Sequence, residues 1–226
     1  TNGNLHIRPI TDIASGTGVG LDVLNDASDT VQDLAIRGET TIFRNASSES
    51  ARLDSSGRLL VGTSSSNNVG GFGGSALQVE GLTGGTSSLS LIRHSANNVG
   101  STILLSKTRG TSNGATTIVQ DDDVVARIFA YGADGTDTES QLGGIQFEVD
   151  GTPGANDMPG RLVFSTTADG ANSSTTRLTI DSAGTSTFTG NIVTTGTLSS
   201  NDITISDTSP RLQFTDTNND DDFSIT

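Results

Sequence analysis

The residues of this chain that could do chemistry are mostly carboxylates. Glu148 and Asp150 alternate with apolar residues in Phe147-Glu148-Val149-Asp150, Asp121, Asp122 and Asp123 form a triplet, and Asp134, Asp137 and Glu139 fall within one short stretch. Paired acids are what glycoside hydrolysis requires, one protonated to assist the leaving group and one ionised as base or nucleophile. Carbohydrate sites also draw on aromatic platforms, and the chain has no Trp and a single Tyr, Tyr131. Carboxylates that start turns explain the same clusters more simply. Glu148 fits that explanation least, because it sits on a strongly patterned strand.

Imidazole chemistry is limited to His6 and His94, in the runs Leu5-His6-Ile7 and Ile92-Arg93-His94-Ser95. Neither lies near a Gly-x-Ser-x-Gly elbow, so both read as ordinary strand residues rather than bases beside a nucleophile. The absence of Cys removes thiolate catalysis, zinc-thiolate sites and disulfides. Asp216, Asn218 and Asp220 place oxygens at alternate positions, as a calcium loop begins. Asp221 occupies the place where such a loop needs Gly, so a solvated turn is the default reading and no other cofactor is expected. The glycine run Gly70-Gly71-Phe72-Gly73-Gly74 lacks the Gly-Lys-Ser/Thr ending of a phosphate loop and reads as a flexible joint.

The elements that must carry these residues follow from composition. Of 226 residues, 33 are Thr, 29 Ser and 28 Gly, which excludes a helical protein because Ser and Thr divert hydrogen bonds from helices and Gly carries a large backbone entropy. Leu, Ile, Val and Phe together number 54, enough for a folded chain with a thin core. The net charge of −14 lacks the basic footprint that nucleic acid or anionic lipid would require. No apolar run approaches the length of a membrane-spanning helix, so no membrane insertion is expected. The chain opens on Thr1-Asn2-Gly3, without Met or a signal-peptide pattern, and reads as an interior piece of a longer protein.

Short runs of period-two alternation recur from end to end. Ala76-Leu77-Gln78-Val79-Glu80, Ser88-Leu89-Ser90-Leu91 and Arg177-Leu178-Thr179-Ile180 put apolar side chains on one face, and residues 101–107, 124–131, 145–149 and 161–165 form longer apolar runs. Between them stand turn dipeptides such as Asn113-Gly114, Asp134-Gly135 and Asp169-Gly170. The chain therefore predicts as all-β in three zones: thin strands over 1–70, a compact β-domain over 71–182, and thin strands again over 183–226. An internal echo flanks the middle zone. Arg52-Leu53-Asp54-Ser55-Ser56-Gly57 returns as Arg177-Leu178-Thr179-Ile180-Asp181-Ser182-Ala183-Gly184, a strand followed by a turn that Asp caps and Gly closes.

These segments resemble tailed-phage tail fibres, especially those of marine and cyanobacterial phages. Three stretches carry the likeness: residues 50–63 around Asp54-Ser55-Ser56-Gly57, residues 147–167 around Pro153-Gly154-Ala155-Asn156-Asp157-Met158-Pro159-Gly160, and Pro210-Arg211-Leu212-Gln213-Phe214-Thr215-Asp216-Thr217-Asn218. The resemblance implies an elongated homotrimeric fibre, with triple-stranded β shaft segments flanking a β-sandwich-like domain. Physics points the same way, since a thin strand with one apolar face cannot close its own core but three copies can bury that face on each other. On a trimer axis the Asp121–Asp123 triplet would be a second candidate cation site.

The implied role is non-enzymatic: a structural segment of a virion, extracellular, joined to other tail proteins and presenting a distal receptor-binding tip to a host cell-surface glycan or protein. Asn113, Asp134, Asp137, Glu139 and Asn156, on three loops of the middle zone, are the candidates for direct glycan contact. Two alternatives stand beside it: a tailspike polysaccharide depolymerase acting through Glu148 and Asp150, and a trimeric adhesin or head-attached decoration fibre.

Overall fold

The structure, a computed structural model, describes the backbone of Asn4–Ile13 and Gly16–Leu24 and, in full, residues 36, 38–200, 202, 204–206 and 208. Among the described residues there is no helix, as the Thr, Ser and Gly content requires. β1 (Asn4–Ile13) and β2 (Gly16–Leu24) form an antiparallel hairpin in which Asn4 faces Leu24. The candidate base His6 lies on β1, opposite Asp22.

A second sheet holds β3 (Thr41–Asn45), β4 (Ser48–Leu53), β5 (Leu59–Val61) and β6 (Leu77–Val79) in that order. Its first three strands are antiparallel, and β6 joins β5 in parallel, pairing across the expected boundary at Gly70. Leu60, between Arg52 and Gln78 on the flanking strands, is fully buried.

The third sheet is a meander of β7 (Val124–Gly132), β8 (Ser140–Val149), β9 (Gly160–Thr167), β10 (Ser174–Ile180) and β11 (Ser186–Phe188), ordered β11-β10-β9-β8-β7. Each long run seen in the sequence between 124 and 180 becomes one of its strands. Val149 and Val163 are buried in it. Phe129 faces Gly144 across β7 and β8, and a Cβ at Gly144 would overlap the Phe129 ring, so glycine is what lets the aromatic lie across the neighbouring strand. β7 is an edge strand, paired with β8 alone.

Among the described residues no strand of the four-stranded sheet contacts a strand of the meander. One expectation changes. Residues 88–91 and 101–107, with the same alternation as the true strands, form no strand. A strand exists only where backbone pairs with backbone, and these segments join no ladder in their own chain. By contacts the chain divides into two units, Thr1–Thr187 and Phe188–Thr226. In the second unit, no described residue after Phe188 is in a strand.

Candidate functional site

The carboxylates that suggested catalysis are drawn into two networks at opposite ends of β7. Nine strand residues separate the two ends, about 30 Å at the usual rise per residue.

At the start of β7, Glu148 faces Arg161 directly across β8 and β9. The Arg161 guanidinium bonds Glu148 at 2.8 Å, Asp150 at 3.2 Å and Asp122 at 2.7 Å. Hydrogen bonds to Asp122 and Glu148 hold its pKa above the ordinary arginine value. Asp150 also accepts the Ser182 N–H at 2.8 Å, and this bond, ahead of the ion pair with Arg161, holds its carboxyl below the usual range. Its neighbours in the triplet turn elsewhere. Asp121 accepts the Gly151 N–H at 2.7 Å. Asp123 accepts Arg109 through Nε at 2.7 Å and Nη2 at 2.9 Å, the Gln120 N–H at 2.9 Å and Lys107 Nζ at 2.9 Å. Arg109 is the main reason its carboxyl lies well below the usual range. Within the chain the three aspartates therefore have three different sets of partners. Among the described residues no group of three or more acids or histidines is placed to hold a metal. Asp216, Asn218 and Asp220 lie outside the described residues.

At the far end of β7, Asp134 accepts the Thr136 N–H at 2.8 Å, the Asp137 N–H at 3.2 Å and Ser140 Oγ at 3.1 Å, which together lower its pKa. Asp137 accepts the Glu139 N–H at 2.9 Å. Glu139 accepts Asn68 Nδ2, and Thr138 Oγ1 donates to Asn68 O at 2.8 Å. The Gly70 N–H reaches Thr138 O at 3.1 Å. Tyr131 stands edge-on to Phe72 and Phe129, with ring centroids 6.5 and 6.1 Å away. The glycine run read as a joint is thus a clasp that ties the loop after β5 to the β7–β8 turn.

Within one chain the five glycan candidates fall at two ends of the sheet. Asp134, Asp137 and Glu139 build the β7–β8 turn. Asn113 and Asn156 are exposed turn residues at the other end of the sheet, next to Ala115 and Ala155 on a shared groove of about 610 Å³ that neither asparagine lines. His94 is exposed and makes no hydrogen bond among the described residues. Sequence reading missed Arg161, the common partner of the strongest acid pair. Its only signal was cross-strand register, which depends on the length of the β8–β9 connection.

The echoed turns are the same structure twice. Asp54 Oδ1 accepts the N–H groups of Ser56 at 2.9 Å and Arg58 at 3.0 Å, and Asp181 Oδ1 those of Ala183 at 3.0 Å and Thr185 at 2.8 Å. Gly57 and Gly184 close the two turns with φ of 76° and 83°.

A scan of protein-family models and a search of curated proteins find no match. Among solved structures, the chain is similar to the carboxy-terminal domain of the bacteriophage T5 L-shaped tail fibre, with a TM-score of 0.50 and 17% identity, over 95% of this chain and 82% of that one. The fold is that of a phage tail-fibre domain. The same T5 domain carrying its intramolecular chaperone domain also matches, with a TM-score of 0.35 and 15% identity, over 100% of this chain and 59% of that one. Among the described residues, four apolar side chains are buried, Leu60, Val119, Val149 and Val163, while large apolar residues from Ile36 to Ile205 stand exposed.

Proposed function

We propose that the protein is a structural segment of a phage tail fibre, assembled as a homotrimer, that spaces and presents a distal receptor-binding tip to a host cell-surface glycan or protein. The observation that carries this reading is a tail-fibre fold whose apolar faces one chain leaves open, with Leu82, Leu104 and Val193 more than four-fifths exposed. Monomeric soluble proteins rarely expose apolar patches beyond a few hundred Å². Identical chains around an axis cover such faces by symmetry, and three presented tips turn weak contacts into avidity. A place in the virion, beside other tail proteins, belongs to the same reading.

The segment is read as non-catalytic. Glu148 and Asp150 share one guanidinium, and the Ser182 N–H together with Arg161 holds the Asp150 carboxyl below its usual range, whereas a glycosidase needs one carboxyl that keeps its proton near neutral pH. Incubation with host capsule or lipopolysaccharide should release no new reducing ends; turnover abolished by Glu148→Gln would establish the depolymerase instead. Sedimentation equilibrium tests the assembly, with about 69 kDa expected from three chains of 23.1 kDa. A stable 23.1 kDa species would overturn the homotrimer.

A further inference from the structure

Residues 81–120 contain none of the chain's 26 acids, although Glu80 and Asp121 stand at either side, and they hold three of its 12 bases, Arg93, Lys107 and Arg109. A cationic stretch of forty residues is thus set in a chain that is otherwise strongly acidic. The same stretch is where strand-like sequence fails to become strand. Residues 101–106 make no hydrogen bond among the described residues, and Ile103, Leu104 and Leu105 are 68%, 88% and 51% exposed. In extended backbone these consecutive apolar residues point to both faces, the pattern of a strand covered on two sides. The end of the segment is held, because Lys107 and Arg109 pair with Asp123 just before β7.

The complement is β7 itself. Its outer edge is unpaired over Val124–Gly132, and Arg127 is its only charge, so it lacks the lysines, prolines or inward acids that usually blunt an open edge. Acids frame it at both ends, Asp121 to Asp123 before it and Asp134, Asp137 and Glu139 after it. One molecule therefore carries a strand-patterned segment, residues 101–106, that is free of charge and of hydrogen bonds among the described residues, and an apolar edge with no strand on its outer side.

We propose that residues 101–107 add as a strand to the β7 edge of a second copy of this chain. The contact joins two different surfaces, so around a three-fold axis each chain donates one strand and accepts one, and the ring closes with every β7 edge covered. Charge complementarity over the whole stretch selects this occupant: residues 81–120 hold bases and no acid while the remainder of an identical chain is net acidic, and both pairing surfaces are themselves free of the acids that would repel.

The inference rests on the homotrimer reading, and the test separates the two. The chain has no Cys, so introduced thiols report without background. Leu104→Cys is combined in turn with Ala126→Cys, Ile128→Cys and Ala130→Cys, mildly oxidised, and run on a non-reducing denaturing gel beside a native mass measurement. Covalent trimer from at least one pair is the expected result. Only single-chain bands from samples of trimeric native mass would overturn the strand addition and leave the homotrimer standing; single-chain native mass of the unmodified protein would overturn both. Hydrogen exchange on the unmodified trimer needs no variant. Amides 102–106 should exchange at least about tenfold more slowly than in the dissociated chain, and equal rates would overturn the proposal.

Discussion

The meander β7 to β11 and the segment 81–120 are written in the same alphabet, and one chain resolves only the first. In the meander β8, β9 and β10 each find two neighbours, the ladder runs from β7 to β11, and Arg161 ties the Asp122 loop to β9. In the segment, Leu89, Leu91, Ile103 and Leu104 alternate or cluster as well as any residue of β7, yet they stay exposed and unladdered. Local pattern specifies that a stretch can be a strand; available edges specify whether it is one.

Substitutions rank the two regions. Leu60→Ala, at the fully buried centre of the four-stranded sheet, should lose about 2–5 kcal/mol, read as a fall in the denaturant midpoint. Gly144→Val forces a side chain into the Phe129 ring and should cost about 1–3 kcal/mol by the same measurement, and a smaller loss would mean that the ring can leave its place over β8.

Acid should weaken the meander next. Asp123 and Asp150 have folded pKa values below their unfolded ones, so the unfolded chain binds protons more readily. Their contribution is complete above the unfolded Asp value of about 3.9 and is lost as pH falls below it. Thermal unfolding followed from pH 7 to pH 2 should show a midpoint that holds and then drops, and Asp123→Asn should flatten the drop. The smallest effect belongs to the segment. Leu104→Ser should change the stability of a dissociated chain by no more than about 0.5 kcal/mol, while lowering the dissociation midpoint of the assembly by more than it lowers that of the single chain. Equal shifts would erase the distinction between the regions.

Much of this was legible before any coordinates. Asp54 and Asp181 could be read as turn caps because the bonds they make reach only two and four residues ahead. The strands of the meander were legible because alternation is a period-two property of neighbouring residues. The candidate site was much less so. Glu148 and Asp150 suggested an acid pair, but Arg161 meets them only through the register of β8 and β9. Asp134, Asp137 and Glu139 could be put on a different loop from Asn113 and Asn156, but only β7 sets the loops at opposite ends of a sheet.

By itself, then, the sequence determined the all-β class, the places of the turns and the strand-forming capacity of each run, since all three depend on backbone preference and side-chain alternation over a few residues. Only the tertiary structure decided which runs pair, which carboxylates share a cation and which apolar faces remain open. Those outcomes depend on contacts between residues far apart along the chain, where pairing register and the supply of free edges govern what local chemistry leaves undetermined.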